Sequence, residues 1–502
     1  MHTHARLAAA LACAAALSLA TLAALGRPSP AAAAAQIRIA DTLCEHADYW
    51  AALQVYLRAA ECEDRAVGDR ARAAAVRTAL RVAAFDVAAA QLASLPVAGS
   101  RDPVLLALAG DTLWASGRFD EAEGAYRDAL AVAPADARAR NGLAKALSSR
   151  GQHERALDEI QAALRAAPED PDLLHTLGVV NERMHRYRDA AEAYAAYLGR
   201  LRTRFEAEKA RWARSHVAFL RSFAGTEPFA MASRGHEGRH VVPFRLVDGK
   251  VLIRAKANGK RVDFALDTGA EHTVLSEATA RRLHVLPFSD TLSAGVGMVG
   301  LRAVQVARLA SLQIGTLTVR NLPCLIKAPA VPGLPPDRME GFSPLDVGLS
   351  VSVDYRTRRL TLGDLPLDPR PARELPLRMN GLASVTADVN GTPTSFIVDT
   401  GGEGISLSAS VARTLFRPIN PYRTPLRVWG ASGLDPSAYV LPWVNLSFCG
   451  LALGDQAVIV LDLRAPSVLL GYEIGGIVGY RFLSRYRVDF DLERSVLRLR
   501  DQ

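Results

Sequence analysis

The chain is poor in cysteine: five in 502 residues, with no C-x-x-C pair among them. That excludes cysteine-based zinc sites and dithiol redox chemistry, which need thiolates paired at short spacing. Aromatic residues make up only 6%, and no run of five or more basic residues occurs. The net charge of +8 is spread along the whole length, so nothing marks a nucleic-acid surface. Long apolar stretches are missing too, with one exception, LAAALACAAALSLATLAAL at 7–25. Preceded by the weakly basic MHTHAR and followed by small residues to Ala35, it has the layout of a secretory signal. Its length also just suffices to span a bilayer, although its alanine content makes a weak span. The expectation is an exported protein, periplasmic or secreted, with residues 1–35 as signal; the alternative is an uncleaved anchor and a membrane tether through 7–25. Without that segment four cysteines remain, Cys44, Cys62, Cys324 and Cys449. Cys44 and Cys62 either pair across a hairpin or stay as thiols.

What is present divides into two halves. Hydrophobic residues at 49% and charged residues at 22% describe a globular chain long enough for several domains. Residues 36–98 carry apolar residues at helical spacing. A period of 34 residues then appears: Gly110, Ala122, Tyr126, Ala129 and Pro134 are followed by Ala156, Ala163 and Pro168, then by Gly178, Ala190 and Tyr194. This resembles the tetratricopeptide repeat, with small residues where two helices cross and Pro ending the second. The resemblance implies an α-helical domain over 36–226, capped by the segment 200–223. It also implies a surface for a protein partner, or alternatively a spacer.

Residues 227–240 read as a linker. They contain HEGRH (236–240), which matches H-E-x-x-H. A zinc site needs that spacing on a helix, but Gly235, Gly238 and Pro243 oppose one, so no metal is expected.

From residue 240 the pattern changes to alternation, short apolar runs and Gly, Pro and Asn-Gly turns, which is β sequence. VLIRAKANGKRVDFALDTGAEHTVLS (251–276) lies beside ASVTADVNGTPTSFIVDTGGEGISLS (383–408) in register. The Asn-Gly pairs at 258 and 390, the DTG triplets at 267 and 399, and Ser276 and Ser408 are each 132 apart. Asn-Gly suits a two-residue hairpin turn, the returning strand is apolar enough to be buried, and the Asp stands at its end.

These units resemble the retropepsin-like aspartic proteases, over residues 240–500. The resemblance implies a mainly-β double lobe, 241–366 and 367–502, following the helical solenoid in a multidomain chain. It places a catalytic dyad at Asp267 and Asp399, supported by Thr268, Gly269, Thr400 and Gly401. It also implies glycine-rich flaps at 293–304 (Gly295, Gly297, Gly300) and 428–440 (Gly430, Ser432, Gly433). Each lobe should close with two apolar residues and a Gly: Ile477, Val478 and Gly479 in the second, with Phe342, Ser343 and Pro344 standing in those places in the first. Two carboxylates face to face cannot both ionise easily, so they share a proton, and the pair can activate water against a peptide carbonyl. The expectation is an aspartic endopeptidase without cofactor, acting on a peptide or protein substrate, with no nucleic-acid partner. A second reading keeps the fold but drops the chemistry, leaving a protein-interaction module. Pro344 is the feature that favours it.

Overall fold

The computed structural model describes residues 26–201, 206–232, 238–297, 300–327, 340–366, 368–415 and 424–502. The chain forms two compact units, 1–100 and 101–502. The first unit contains helices Pro30–Glu45, Tyr49–Ala59, Arg65–Arg81 and Phe85–Ala93. Ser29, Asp48 and Asp64 cap the first three, accepting backbone N–H groups that no helical carbonyl can reach. Fully buried alanines, among them Ala33, Ala40, Ala52 and Ala75, let these helices pack closely. Cys44 and Cys62 carry free thiols, as do Cys324 and Cys449 in the second unit. The apolar run 7–25 lies outside the described residues, among which no helix is long and apolar enough to cross a membrane. Residues 30–35, where a cleavage site was expected, belong to the first helix.

The second unit opens with paired helices whose starts keep the repeat. First helices begin at Pro103, Ala137 and Pro171, and second helices at Phe119, His153 and Tyr187, so the period of 34 holds for both. Asp102, Asp136 and Asp170 cap the three first helices. Tyr126 fills the crossing between Gly110 and Gly142, since a Cβ on either glycine would collide with its ring. Its hydroxyl donates to Asp111 at 2.8 Å. Tyr194 packs against Gly178 in the same way. Helix Ala207–Arg221 then covers the last repeat, with Trp212 edge-on to Tyr194 at 5.4 Å.

The β region is a duplicated lobe. In each lobe a short closing strand runs parallel to the strand that carries the DTG: Glu340–Phe342 beside Lys260–Leu266, and Gly476–Val478 beside Thr392–Val398. A six-stranded sheet joins the lobes: Arg373–Pro376, Val496–Asp501 and Tyr486–Asp491 lie on one side, Val351–Asp354, Arg359–Gly363 and Arg239–Pro243 on the other, and Tyr486–Asp491 pairs with Val351–Asp354 across the seam. His240 sits on the strand Arg239–Pro243 rather than on a helix, with its ring Nδ1 2.9 Å from Thr316 Oγ1. His236 and Glu237 of HEGRH lie outside the described residues, among which no cluster suits a metal.

The helices are bonded to both lobes. On the second lobe, Phe119 stands edge-on to Tyr472 at 5.1 Å, and the Glu473 N–H donates to Ala115 O at 2.7 Å. Buried Arg378 reaches Asp120 and, at 3.1 Å, the equally buried Glu123. On the first lobe, Tyr187, Phe223 and Phe229 form an aromatic cluster, and Arg308 lies over the Phe223 ring at 5.3 Å. Tyr187, Tyr194 and Phe219 belong to the same apolar core as Phe264 and Leu266. An interface this apolar holds the array as a fixed wall.

Candidate active site

Both DTG loops leave the ends of buried strands and meet between the lobes. Thr268 and Thr400 lock them reciprocally. The Thr268 N–H donates to Thr400 Oγ1 (3.2 Å) and the Thr400 N–H to Thr268 Oγ1 (3.0 Å). Each hydroxyl donates in turn to the strand opposite, Thr268 to Val398 O (2.7 Å) and Thr400 to Leu266 O (2.8 Å). Both threonines are fully buried, so these bonds work without competition from water.

The lock brings the two carboxyl groups together. The Asp267 and Asp399 carboxyls lie side by side, the Cβ position of Gly401 being 3.0 Å from Asp267 Oδ1 and 3.1 Å from Asp399 Oδ1. The Gly269 N–H donates to Asp267 Oδ1 at 3.0 Å and the Gly401 N–H to Asp399 Oδ1 at 2.7 Å. Neither glycine can be replaced freely: a Cβ at Gly269 would lie 2.3 Å from the Asp399 carboxyl carbon. Burial, and then the charge of Asp399, push the Asp267 pKa up to about 7. Burial raises Asp399 as well, against the Gly401 N–H and the Lys250 ammonium. A carboxyl pair with both values raised holds a proton where single carboxylates have lost theirs.

Two cations beside the dyad escaped the sequence reading. The Lys250 ammonium donates to Gly401 O and faces both aspartates. Lys327 sits beside Asp267, and burial lowers its pKa against the pull of that carboxylate. Lys250 lies in the duplicated region, but its counterpart 132 residues on is Leu382, so internal symmetry gave no signal for it.

The register of the closing strands corrects one expectation. Leu266 pairs with Phe342 and Val398 with Val478, and the Asp267 and Asp399 N–H groups donate to Phe342 O and Val478 O, each at 2.9 Å. The residue in the place of Gly479 is therefore Ser343, not Pro344. Gly479 is needed because a Cβ there would lie 2.7 Å from the Gly402 carbonyl carbon. Ser343 instead bonds to the equivalent loop, its hydroxyl donating to Ala270 O at 2.7 Å. Pro344 falls one residue later, in the place of Tyr480, whose N–H donates to Gly402 O at 2.9 Å; in the first lobe the Ser343 hydroxyl serves the equivalent Ala270 O instead. The departure from the Gly479 pattern in the first lobe is therefore Ser343 rather than Pro344. Glu340, also missed, is buried and accepts the N–H and hydroxyl of Ser276 at 2.5 and 2.9 Å.

Both glycine-rich segments form hairpin tips over the cleft. Strands Pro287–Ser293 and Arg302–Ile314 flank the first, and Val428–Gly430 pairs with Gly433–Asp435 in the second. They touch at their ends: the Ser432 N–H donates to Val296 O at 2.9 Å, and Gly295 lies against Ala431. Gly297 packs on the Ser432–Gly433 backbone at φ +135°, and Gly430 on Val296, so side chains there would part the tips. Gly300 has φ +60° and no close neighbour. Below lies a cavity of about 2580 Å³, lined by both aspartates, both hairpins and the helices, including Arg183, His185 and Trp114.

Three family models agree with this construction. Residues 253–333 match the family model “gag-polyprotein putative aspartyl protease”, residues 385–482 the model “Aspartyl protease”, and residues 108–171 the model “Tetratricopeptide repeat”. A tetratricopeptide array and two aspartyl-protease-like lobes share this chain. Among solved structures, a thermophilic TPR protein of Thermus thermophilus is similar over 37% of this chain and 99% of its own, at 21% identity and a TM-score of 0.31. The aspartic proteinase of Irpex lacteus is similar over 53% of this chain and 97% of its own, at 13% identity and a TM-score of 0.34. No curated protein matches the chain.

Proposed function

We propose that the protein is an aspartic peptidase, hydrolysing peptide bonds with Asp267 and Asp399. The observation that supports this reading best is the pair of carboxyls set side by side at the centre of the reciprocal threonine lock. One carboxyl ionised and one protonated is the form that works. The ionised member takes a proton from a water held between them, and the resulting hydroxide attacks the peptide carbonyl carbon. The protonated member hydrogen-bonds to the carbonyl oxygen as it gains charge. Proton transfer to the amide nitrogen then lets the C–N bond break, with no covalent intermediate and no cofactor.

The helices contribute directly to the cleft, so in this reading they contact the protein or peptide substrate at the site of cleavage rather than at a distance. Export rests on the apolar run 7–25, with a membrane tether through that run as the alternative topology. The test uses purified protein and a mixed peptide library from pH 4 to 8, with products read by mass spectrometry. Cleavage that disappears in both Asp267→Asn and Asp399→Asn is expected. Cleavage that survives in either variant overturns the two-carboxylate mechanism.

A further inference from the structure

The helical array lines the cavity with four cations, Lys145, Arg150, Arg183 and Lys209, and with one carboxylate, Glu182. Most of that charge is already answered. Arg150 pairs with Asp120 at 2.8 Å and with Glu123 at 3.0 Å, and Lys209 with Glu206 at 2.9 Å. Glu182 lies 2.9 Å from His216 Nε2 and accepts the Tyr194 hydroxyl at 3.2 Å. Lys145 and Arg183 are the exceptions. Among the described residues Lys145 has no bonded partner, and Arg183 bonds only to a neutral hydroxyl, donating to Ser148 Oγ at 3.1 Å.

These two cations share one face. Lys145 and Ser148 are a turn apart on helix Ala137–Ser149, and Arg183 ends helix Pro171–Arg183, so the Arg183–Ser148 bond brings the guanidinium to the Lys145 side. The nearby histidines add no charge: burial holds His153 and His175 down at about 4, helped by Arg183 and Lys145 respectively. Glu271 of the first lobe attracts Arg183 without bonding to it. Arg183 has therefore given up water without gaining a bonded anion, and burial lowers its pKa. A carboxylate set between the two groups would supply what is missing, through charge-assisted bonds to the guanidinium and the ammonium. Nor does the dyad repel an acidic chain, since Lys250 and Lys327 stand beside it.

We propose that Lys145 and Arg183 form a carboxylate subsite for the bound polypeptide, so that the peptidase selects substrates carrying an acidic group at a fixed distance from the scissile bond. This rests on the peptidase reading above; the carboxylate belongs either to an Asp or Glu side chain or to a free C-terminus. The full chain is assayed on an acidic peptide that it cleaves, with each carboxylate in turn converted to its amide. One such conversion should lower kcat/KM by about 10- to 100-fold, and the position that responds identifies the source. In the variant carrying Lys145→Met and Arg183→Met the same conversion should matter by less than about 3-fold. Lys145→Glu should reverse the preference towards Lys at that position, which a misfolded protein would not do. No carboxylate effect in wild type, or an undiminished effect in the double variant, overturns the proposal. Binding is read separately: Asp267→Asn protein retains peptides from a mixed library offered in acidic and in fully amidated form. The acidic form should be retained about 10-fold better, and the two Met substitutions should remove that difference. Equal retention of both forms overturns the carboxylate subsite, whereas absence of cleavage by wild type overturns the peptidase reading beneath it.

Discussion

Replacing Asp267 by Asn should make the protein more stable at neutral pH while abolishing hydrolysis. The carboxyl has a pKa of about 7 in the fold against an ordinary 3.8. A raised carboxyl pKa means that the folded state holds the proton more tightly than the unfolded chain. Stability from this group is therefore complete below the ordinary value and declines as the pH climbs towards 7. Three units correspond to at most about 4 kcal/mol, and because the group faces the cleft and its water, about 2–4 kcal/mol is the working figure. Asn has the same shape, can accept the Gly269 N–H, and has nothing to ionise. For the unit 101–502, at about 2.1 cal/mol/K per residue, the gain is a Tm higher by about 2–5 °C at pH 8. Scanning calorimetry at pH 4 and pH 8 checks this. The difference should vanish at pH 4, where wild type is already protonated. A variant no more stable than wild type at pH 8, or equally displaced at both pH values, would refute the reasoning.

Other outcomes follow from the same geometry. The activity profile should fall above about pH 7, as the protonated member of the dyad is lost, and fall again in acid as the other member gains its proton; initial rates across pH 3–9 on one cleaved peptide test both limbs. Thr268→Val leaves the buried Val398 carbonyl and Thr400 N–H without their partner, which should cost about 2–4 kcal/mol in urea unfolding, whereas Thr268→Ser should cost about 1 kcal/mol or less. Ser343→Gly should remain folded and active at a cost of about 1 kcal/mol, while Gly479→Ser should displace the Gly402 backbone and abolish activity; the opposite ranking would restore Pro344 to the Gly479 position. Phe119→Ala should cost about 3–5 kcal/mol and raise hydrogen exchange in helices 103–132 and in the Tyr472 loop together, because the ring is shared between them.

Much of this protein is written locally. A 34-residue spacing of Gly, Ala and Tyr fixes where helices cross, because only a small residue admits the ring of Tyr126 or Tyr194. The 132-residue echo of Asn-Gly, DTG and Ser encodes two equal lobes and names both aspartates, since hairpin turns and strand ends carry their own residue preferences. What remained hidden depends on pairing between distant segments. Whether Ser343 or Pro344 answers to Gly479 is a matter of strand register, and no local preference distinguishes a slip of one residue where the closing segment departs from its copy. Lys250 and Arg183 reach the cleft from outside the DTG loops, and neither has a symmetric counterpart to announce it. The reciprocal threonine lock, the raised pKa of the dyad and the helical lining of the cleft exist only once the lobes and repeats are packed. Hydrogen bonds, desolvation and charge act between groups that are close in space, and a linear sequence does not record those distances.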